Sequence, residues 1–269
     1  MGQNFGNYTA IEQFLITLAI VMPRLTAAFM VIPFLSRKVF TGIVIRNGFY
    51  VSLAIILVPM HYNQLQGLEN ISIPMGISIL FKEIFLGMII GYMVSIPFWA
   101  VESVGFFIDN QRGATLASTL NPLSGDQTSP TGILLEQAVA VIFFASGAIL
   151  ALLGMLYQSY VEWPIIDLSM SLDLNKAFFF LEQLDFLMMI TMILAGPIVL
   201  GMFISEFSFA LINRFTPSLN VFILSMPVKS AVSLILMVFY IDGFFYYLQE
   251  NTDSIEEIFK TIGEVLYNK

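Results

Sequence analysis

The side chains of this protein that could do chemistry are few, and one group of them is contiguous. Asp109, Asn110, Gln111 and Arg112 precede Gly113, and the small, polar stretch that follows continues through Asn121, Pro122, Leu123, Ser124, Gly125, Asp126 and Gln127. Asp109 and Arg112 are three residues apart, so on a last helical turn they can pair. Elsewhere single charges interrupt apolar sequence: Arg24 beside Pro23, Lys82 beside Glu83, then Glu206, Arg214, and Lys229 close to Pro227. Glu102 and Asp109 could be cast as an acid and a base. No nucleophile lies near them, however, and no phosphate-binding loop, nucleophile elbow, paired-histidine or aspartate-rich motif occurs. With 0 Cys and 1 His there is no basis for a disulfide or for a zinc site of cysteine and histidine ligands. That single His61 stands next to Tyr62 at the end of an apolar run, where packing or the membrane interface would use it. Neither catalysis nor a metal or cofactor is expected; the chemistry on offer is recognition through charge pairs and hydrogen bonds.

What must position these groups is a set of long apolar helices. The 269 residues are 58% hydrophobic and 11% charged, against about 25% charged in soluble domains. Runs at Asn47–Leu68, Ile84–Val101, Gln137–Val161 and Phe186–Ser205 reach or approach the roughly 20 residues that cross a bilayer core. Gln13–Ser36 and Phe215–Ile241 qualify if Arg24 and Lys229 are tolerated, which gives about six spans. The fold class is therefore an all-α membrane protein. An ionised side chain at mid-bilayer costs about 2.5–3.5 kcal/mol on insertion scales, so Arg24, Lys82, Glu83 and Glu206 should face protein or water. Lys82 and Glu83, about 100° apart on a helix, should satisfy each other poorly and find partners on other helices or other chains. Pro217 and Pro227 would break the helices that carry Arg214 and Lys229. Met188, Met189 and Met192 read as core packing. The net charge of −8, with basic residues scattered, argues against nucleic acid. No Lys or Arg precedes Arg24, so the first run is expected to stay in place rather than be removed as a signal peptide. In a simple six-span arrangement Arg37, Lys38, Arg46, Arg112, Arg214 and Lys229 fall on one side and Lys176, Lys260 and Lys269 on the other. Both termini would then lie outside the cytoplasm.

Between the third and fourth runs the polar stretch has the character of a structured connection. Ala114, Ala117 and Ser118 allow close backbone approach, Asn121, Pro122 and Gly125 supply turn chemistry, and Ser129 with Pro130 suits the N-cap and first position of the next helix. Such irregular backbone is either an ordinary connection in water or, at membrane depth, the lining of an aqueous cavity. The tail differs: Ser254 and Glu257 form a capping box ahead of Ile255, Ile258, Phe259, Ile262, Val265 and Leu266 at helical spacing. Residues 251–269 thus form an amphipathic helix appended to a membrane-embedded domain of residues 1–250. Its acidic polar face suits a protein partner better than anionic lipid.

The motifs FFIDNQRGA and NPLSGDQTSPTG, then Ser159–Tyr160 and Trp163–Pro164, and finally INRFTPSLNVFILSMPVKS from Ile212 to Ser230, closely resemble the SctT family of the type III secretion export apparatus, with the flagellar FliR proteins as a looser match. One departure is Ser218, where the family often has Gln. The resemblance implies helical hairpins assembled with SctR and SctS into a closed cone in the bacterial inner membrane, with SctU around its base and the export gate SctV nearby. Unfolded effector and needle proteins would pass through the centre. It also implies that Asp109 to Gly113 and Asn121 to Gln127 belong to a channel plug, that the buried charges face other helices or subunits, and that the simple six-span topology does not apply. A secondary transporter for a small solute is the alternative, because proline-interrupted spans carrying charges are typical of that class.

Overall fold

The computed structural model describes residues 3–35, 42–62, 73–114, 129–168, 178–216, 218 and 220–252, and every regular element among them is helical. In chain order these are α1 (Gln3–Val31), a short 3-10 turn (Pro33–Leu35), α2 (Ile43–Tyr62), α3 (Ile73–Arg112), α4 (Pro130–Ala145), α5 (Ala148–Glu162), α6 (Phe178–Phe215) and α7 (Val221–Thr252). Five of them are long and apolar enough to cross a bilayer, or six if α4 and α5 count as one broken span. The all-helical, multi-pass membrane architecture expected from composition is therefore the one observed.

Two expectations about breaks are corrected. The run Gln137–Val161 is not one helix. It stops at Ser146, whose N–H reaches back to Ile142 and Phe144, and restarts after Gly147 at φ +79°, a left-handed conformation that favours glycine. Conversely, Pro227 lies inside an uninterrupted α7, as Pro23, Pro59, Pro97 and Pro197 lie inside their own helices. A proline removes one ladder bond, and neighbouring helices tolerate that loss in membrane proteins.

The chain forms two compact units. The first comprises the described residues up to Ser95 and those from Gly147 to Leu168: α1, α2, the N-terminal part of α3, and α5. Its core holds Leu25, Ala28, Phe29, Leu57, Leu86, Ile90, Leu152 and Leu156, with Phe29 stacked on Tyr50 at 5.6 Å. Here α3 meets α1 closely because Gly87, Gly91 and Ser95 recur every fourth residue and so share one face. A Cβ at Gly87 would strike the Arg24 carbonyl and Ala27, one at Gly91 would strike the backbone of Ala28, and the Ser95 hydroxyl lies 3.3 Å from the Val31 carbonyl. Small residues at this spacing are how membrane helices gain van der Waals contact without a hydrophobic driving force.

The second unit comprises α3 from Ile96, α4, α6 and α7. Phe98 meets Phe143 edge-on at 5.5 Å, and α6 packs along α7. The buried face of α6 carries Leu187, Ile190, Leu194, Ile198 and Met202, at helical spacing. Met188, Met189 and Met192 consequently point the other way and are more than half exposed, which corrects the expectation that they pack in the core. Periodicity decides this: at about 100° per residue, positions 188, 189 and 192 fall outside the arc that carries 187, 190, 194 and 198. The predicted helix at 254–267 lies outside the described residues.

Candidate functional site

The polar stretch begins where α3 ends. Gly113 adopts φ +81°, its N–H donates to the Asn110 carbonyl at 3.1 Å, and the Ala114 N–H donates to the Asp109 carbonyl at 3.0 Å. This pair of backbone bonds is a Schellman stop, and it explains why glycine follows Arg112. On the far side, α4 begins with Ser129 as N-cap and Pro130 in the first turn, as the sequence predicts. All four donor positions of that first turn are accounted for. Pro130 has no N–H; the Thr131 N–H donates to Asp109 Oδ2 at 3.0 Å; the Gly132 N–H donates to Ser129 Oγ at 2.9 Å; the Ile133 N–H donates to the Ser129 carbonyl at 3.0 Å.

Asp109 is thus the link between the two helix ends. Oδ2 accepts from the Ser129 hydroxyl at 2.6 Å as well as from the Thr131 N–H, while Oδ1 accepts from the Thr131 hydroxyl at 2.6 Å and faces Arg112 Nη2 at 2.6 Å. A carboxylate offers about four lone-pair sites, and here each is used. The residue is 1% exposed, so the carboxylate exchanges its hydration for these four donors. One turn back, Gly105 and Gly132 touch backbone to backbone with no room for a Cβ on Gly105. With its lone pairs occupied, Asp109 is a structural acceptor and not the free acid or base imagined beside Glu102. Asn110 is exposed, and Gln111 points elsewhere, as described below. Asn121, Pro122, Leu123, Ser124, Gly125, Asp126 and Gln127 lie outside the described residues.

A second polar centre lies in the first unit. Arg24, fully buried, donates from Nε and Nη2 to the two oxygens of Glu83 at 2.7 and 2.9 Å, a fork-to-fork pair. Its remaining donors reach the Ser159 carbonyl at 2.7 Å and the Trp163 carbonyl at 2.9 Å, and its guanidinium lies 4.0 Å over the Tyr160 ring. Lys82 Nζ meets Glu83 at 3.2 Å, and donates to the carbonyls of Pro164 at 2.6 Å, Ile165 at 2.9 Å and Asp167 at 3.1 Å. Both residues thus find their main partners on other segments, as expected, Glu83 on Arg24 and Lys82 on carbonyls beyond α5; they also touch each other, because the long lysine stem can lean across. Both cations sit at the C-terminus of α5, where positive charge complements the helix dipole: the Ser159 carbonyl takes Arg24 in addition to the Trp163 N–H at 2.9 Å, and the other carbonyls belong to the chain just past Glu162. The Ser159–Tyr160 and Trp163–Pro164 motifs are the receptors of these two charges. His61 is buried against Tyr160 at 5.4 Å, with Nδ1 3.1 Å from the Leu57 carbonyl, so it packs.

In the second unit Glu206 of α6 joins two other helices: Lys229 of α7 at 3.4 Å and Gln111 Nε2 of α3 at 3.2 Å. Lys229 is nearly buried and Glu206 half-exposed. Arg214 is exposed in the last turn of α6, where a cation suits the helix dipole. Gly87, Gly91 and Ser95, and the partners Ser129 and Thr131 of Asp109, are the positions that sequence reasoning did not single out as contacts. The four-residue spacing of small side chains was a readable signal for the first group.

The chain is similar to known proteins along most of its length. Residues 15–255 match the family of bacterial export proteins, family 1. The chain belongs to that family. It is 44% identical over 230 residues to the Yop proteins translocation protein T of Yersinia pestis, covering 86% of this chain and 87% of that protein. It is 30% identical over 237 residues to the surface presentation of antigens protein SpaR of Salmonella typhimurium, covering 88% and 87%. A more distant relative is the flagellar biosynthetic protein FliR of Bacillus subtilis, 26% identical over 222 residues. The SctT resemblance carried by the motifs is borne out, the stronger match being on the secretion side and the looser one on the flagellar side. The export family comprises type III secretion and flagellar export components, and the small-solute transporter alternative finds no support.

Proposed function

We propose that this chain is the SctT-type subunit of a type III secretion export apparatus in a bacterial inner membrane. With SctR and SctS it forms a gated channel for unfolded effector and needle proteins, near SctU and the export gate SctV, and performs no catalysis of its own. The observation that carries this reading is a polar connection held between two capped helix ends, in a chain that matches a translocation protein over 86% of its length. In this reading the connection that includes Asn121 to Gln127 is the channel plug. Asp109, Arg112 and Gly113 form its base, and Asn110 and Gln111 flank it. Arg24, Lys82, Glu83, Glu206 and Lys229 hold helices together, and the exposed Arg214 meets a neighbouring subunit. The segment 251–269 docks on a protein partner.

The absence of cysteine makes the test direct. A single cysteine at Ser118 or Ser124 is expected to crosslink to a stalled secretion substrate in the assembled apparatus. One at Leu57, fully buried in the first unit, is expected not to. Failure to crosslink from any position between 115 and 128, in machines that assemble and secrete, overturns the plug assignment. Failure to copurify with SctR and SctS overturns the subunit assignment.

A further inference from the structure

Asp109 makes more contacts than either helix end needs for capping alone. Gly113 already stops α3, and Ser129 already caps α4. Yet the carboxylate takes donors from both sides, with Arg112 on its own helix and Ser129 and Thr131 on the next. The Arg112 guanidinium in turn lies 3.1 Å from the Thr131 hydroxyl, closing a ring of contacts across the junction. Gly105 and Gly132 add a backbone contact one turn below, independent of any charge. A buried carboxylate that loses its donors without regaining water is left uncompensated, so the first step in parting these helix ends costs the four bonds to Asp109 as well as packing.

We propose that Asp109 is a positioning residue that keeps the last turn of α3 and the first turn of α4 joined throughout export, so that the channel opens without these two helix ends separating. This rests on the plug reading above. It separates two roles within that reading, because the residues at the junction hold the helices while contact with substrate belongs to the chain between them. Because the ring comprises one carboxylate, one guanidinium and two hydroxyls, its strength depends on Asp109 being an ionised acceptor. An amide at this position keeps the shape but removes the charge and replaces one acceptor oxygen by a donor.

The test uses cells that assemble the whole apparatus, with secretion substrate withheld, and reads potassium efflux at rest and secretion on induction. Asp109→Asn is expected to shift the joined-to-parted ratio by roughly 150- to 5,000-fold, the scale for breaking a buried charge pair, and so to raise resting efflux. The pair Asp109→Cys with Ser129→Cys is expected to leak when reduced, then to seal and secrete when oxidised, because the covalent bridge replaces the hydrogen bonds. Deletion of residues 115–128 serves as the reference for an unplugged channel. If that deletion leaks while Asp109→Asn assembles and stays sealed, the positioning role is overturned and the plug reading stands. If the oxidised pair seals but no longer secretes, the helix ends must part and the inference is wrong. If the deletion itself does not leak, the plug reading falls and takes the inference with it. Should Asp109→Asn fail to assemble, the difference between the oxidised and reduced cysteine pair decides the matter alone.

Discussion

At the residue scale the two buried polar centres use the same device, an ionised side chain whose every donor or acceptor is matched. Arg24 commits its guanidinium to Glu83, to two carbonyls and to the face of Tyr160. Replacing it with Met keeps volume but leaves Glu83 buried beside Lys82 alone, so a loss of about 3–5 kcal/mol is expected. The double variant Arg24→Met with Glu83→Gln should lose less than the two single changes added together, because each single change already breaks the shared pair. Thermal inactivation of the assembled complex measures all three, and strictly additive losses would refute the coupling. How much of this was legible depended on distance along the chain. Asp109 with Arg112, and Ser129 with Pro130, were readable because helical spacing and capping act within one turn. The bonds from Asp109 to Ser129 and Thr131, or from Arg24 to Ser159 and Trp163, join helices that sequence spacing cannot bring together. The added contact of Lys82 with Glu83 was hidden for a different reason: angle on a helix describes where a side chain starts, not where four flexible carbons end.

At the scale of elements, composition located the helices and missed what shapes them. The apolar count saw Gln137–Val161 as continuous because Ser146 and Gly147 carry no charge, although a serine–glycine pair is a common place for a helix to bend. It likewise passed over Gly87, Gly91 and Ser95, whose importance lies in the atoms they lack. Gly87→Val is expected to separate α1 from α3, since its Cβ would meet the Arg24 backbone, and to lower the thermal midpoint of the purified protein by several degrees. Gly48→Val in α2 is the matched control: nothing lies within 4 Å of a Cβ there, and little or no loss is expected. A similar fall in both would show that close approach at Gly87 is not what matters.

At the scale of the whole molecule, the helices differ in how much cover their own chain gives them. In the apolar, span-length stretch of α3 67% of the residues are buried, whereas in that of α7 only 17% are. The outward side of α6 carries Met188, Met189, Phe203 and Ile204 in the open, and Arg214 ends that helix exposed. Lipid can cover apolar side chains, but a subunit of a larger complex finds part of its cover in partners. Trypsin is therefore expected to cut after Arg214 in the chain purified alone and to spare that bond in the assembled apparatus. Equal cutting in both states would remove Arg214 from any subunit contact. The broken span has a consequence for biogenesis. α4 has 16 residues and α5 has 15, about 24 Å and 22 Å of helix against a hydrocarbon core of about 30 Å. Neither half alone is long enough to cross that core, so neither can serve as a complete stop-transfer segment by itself.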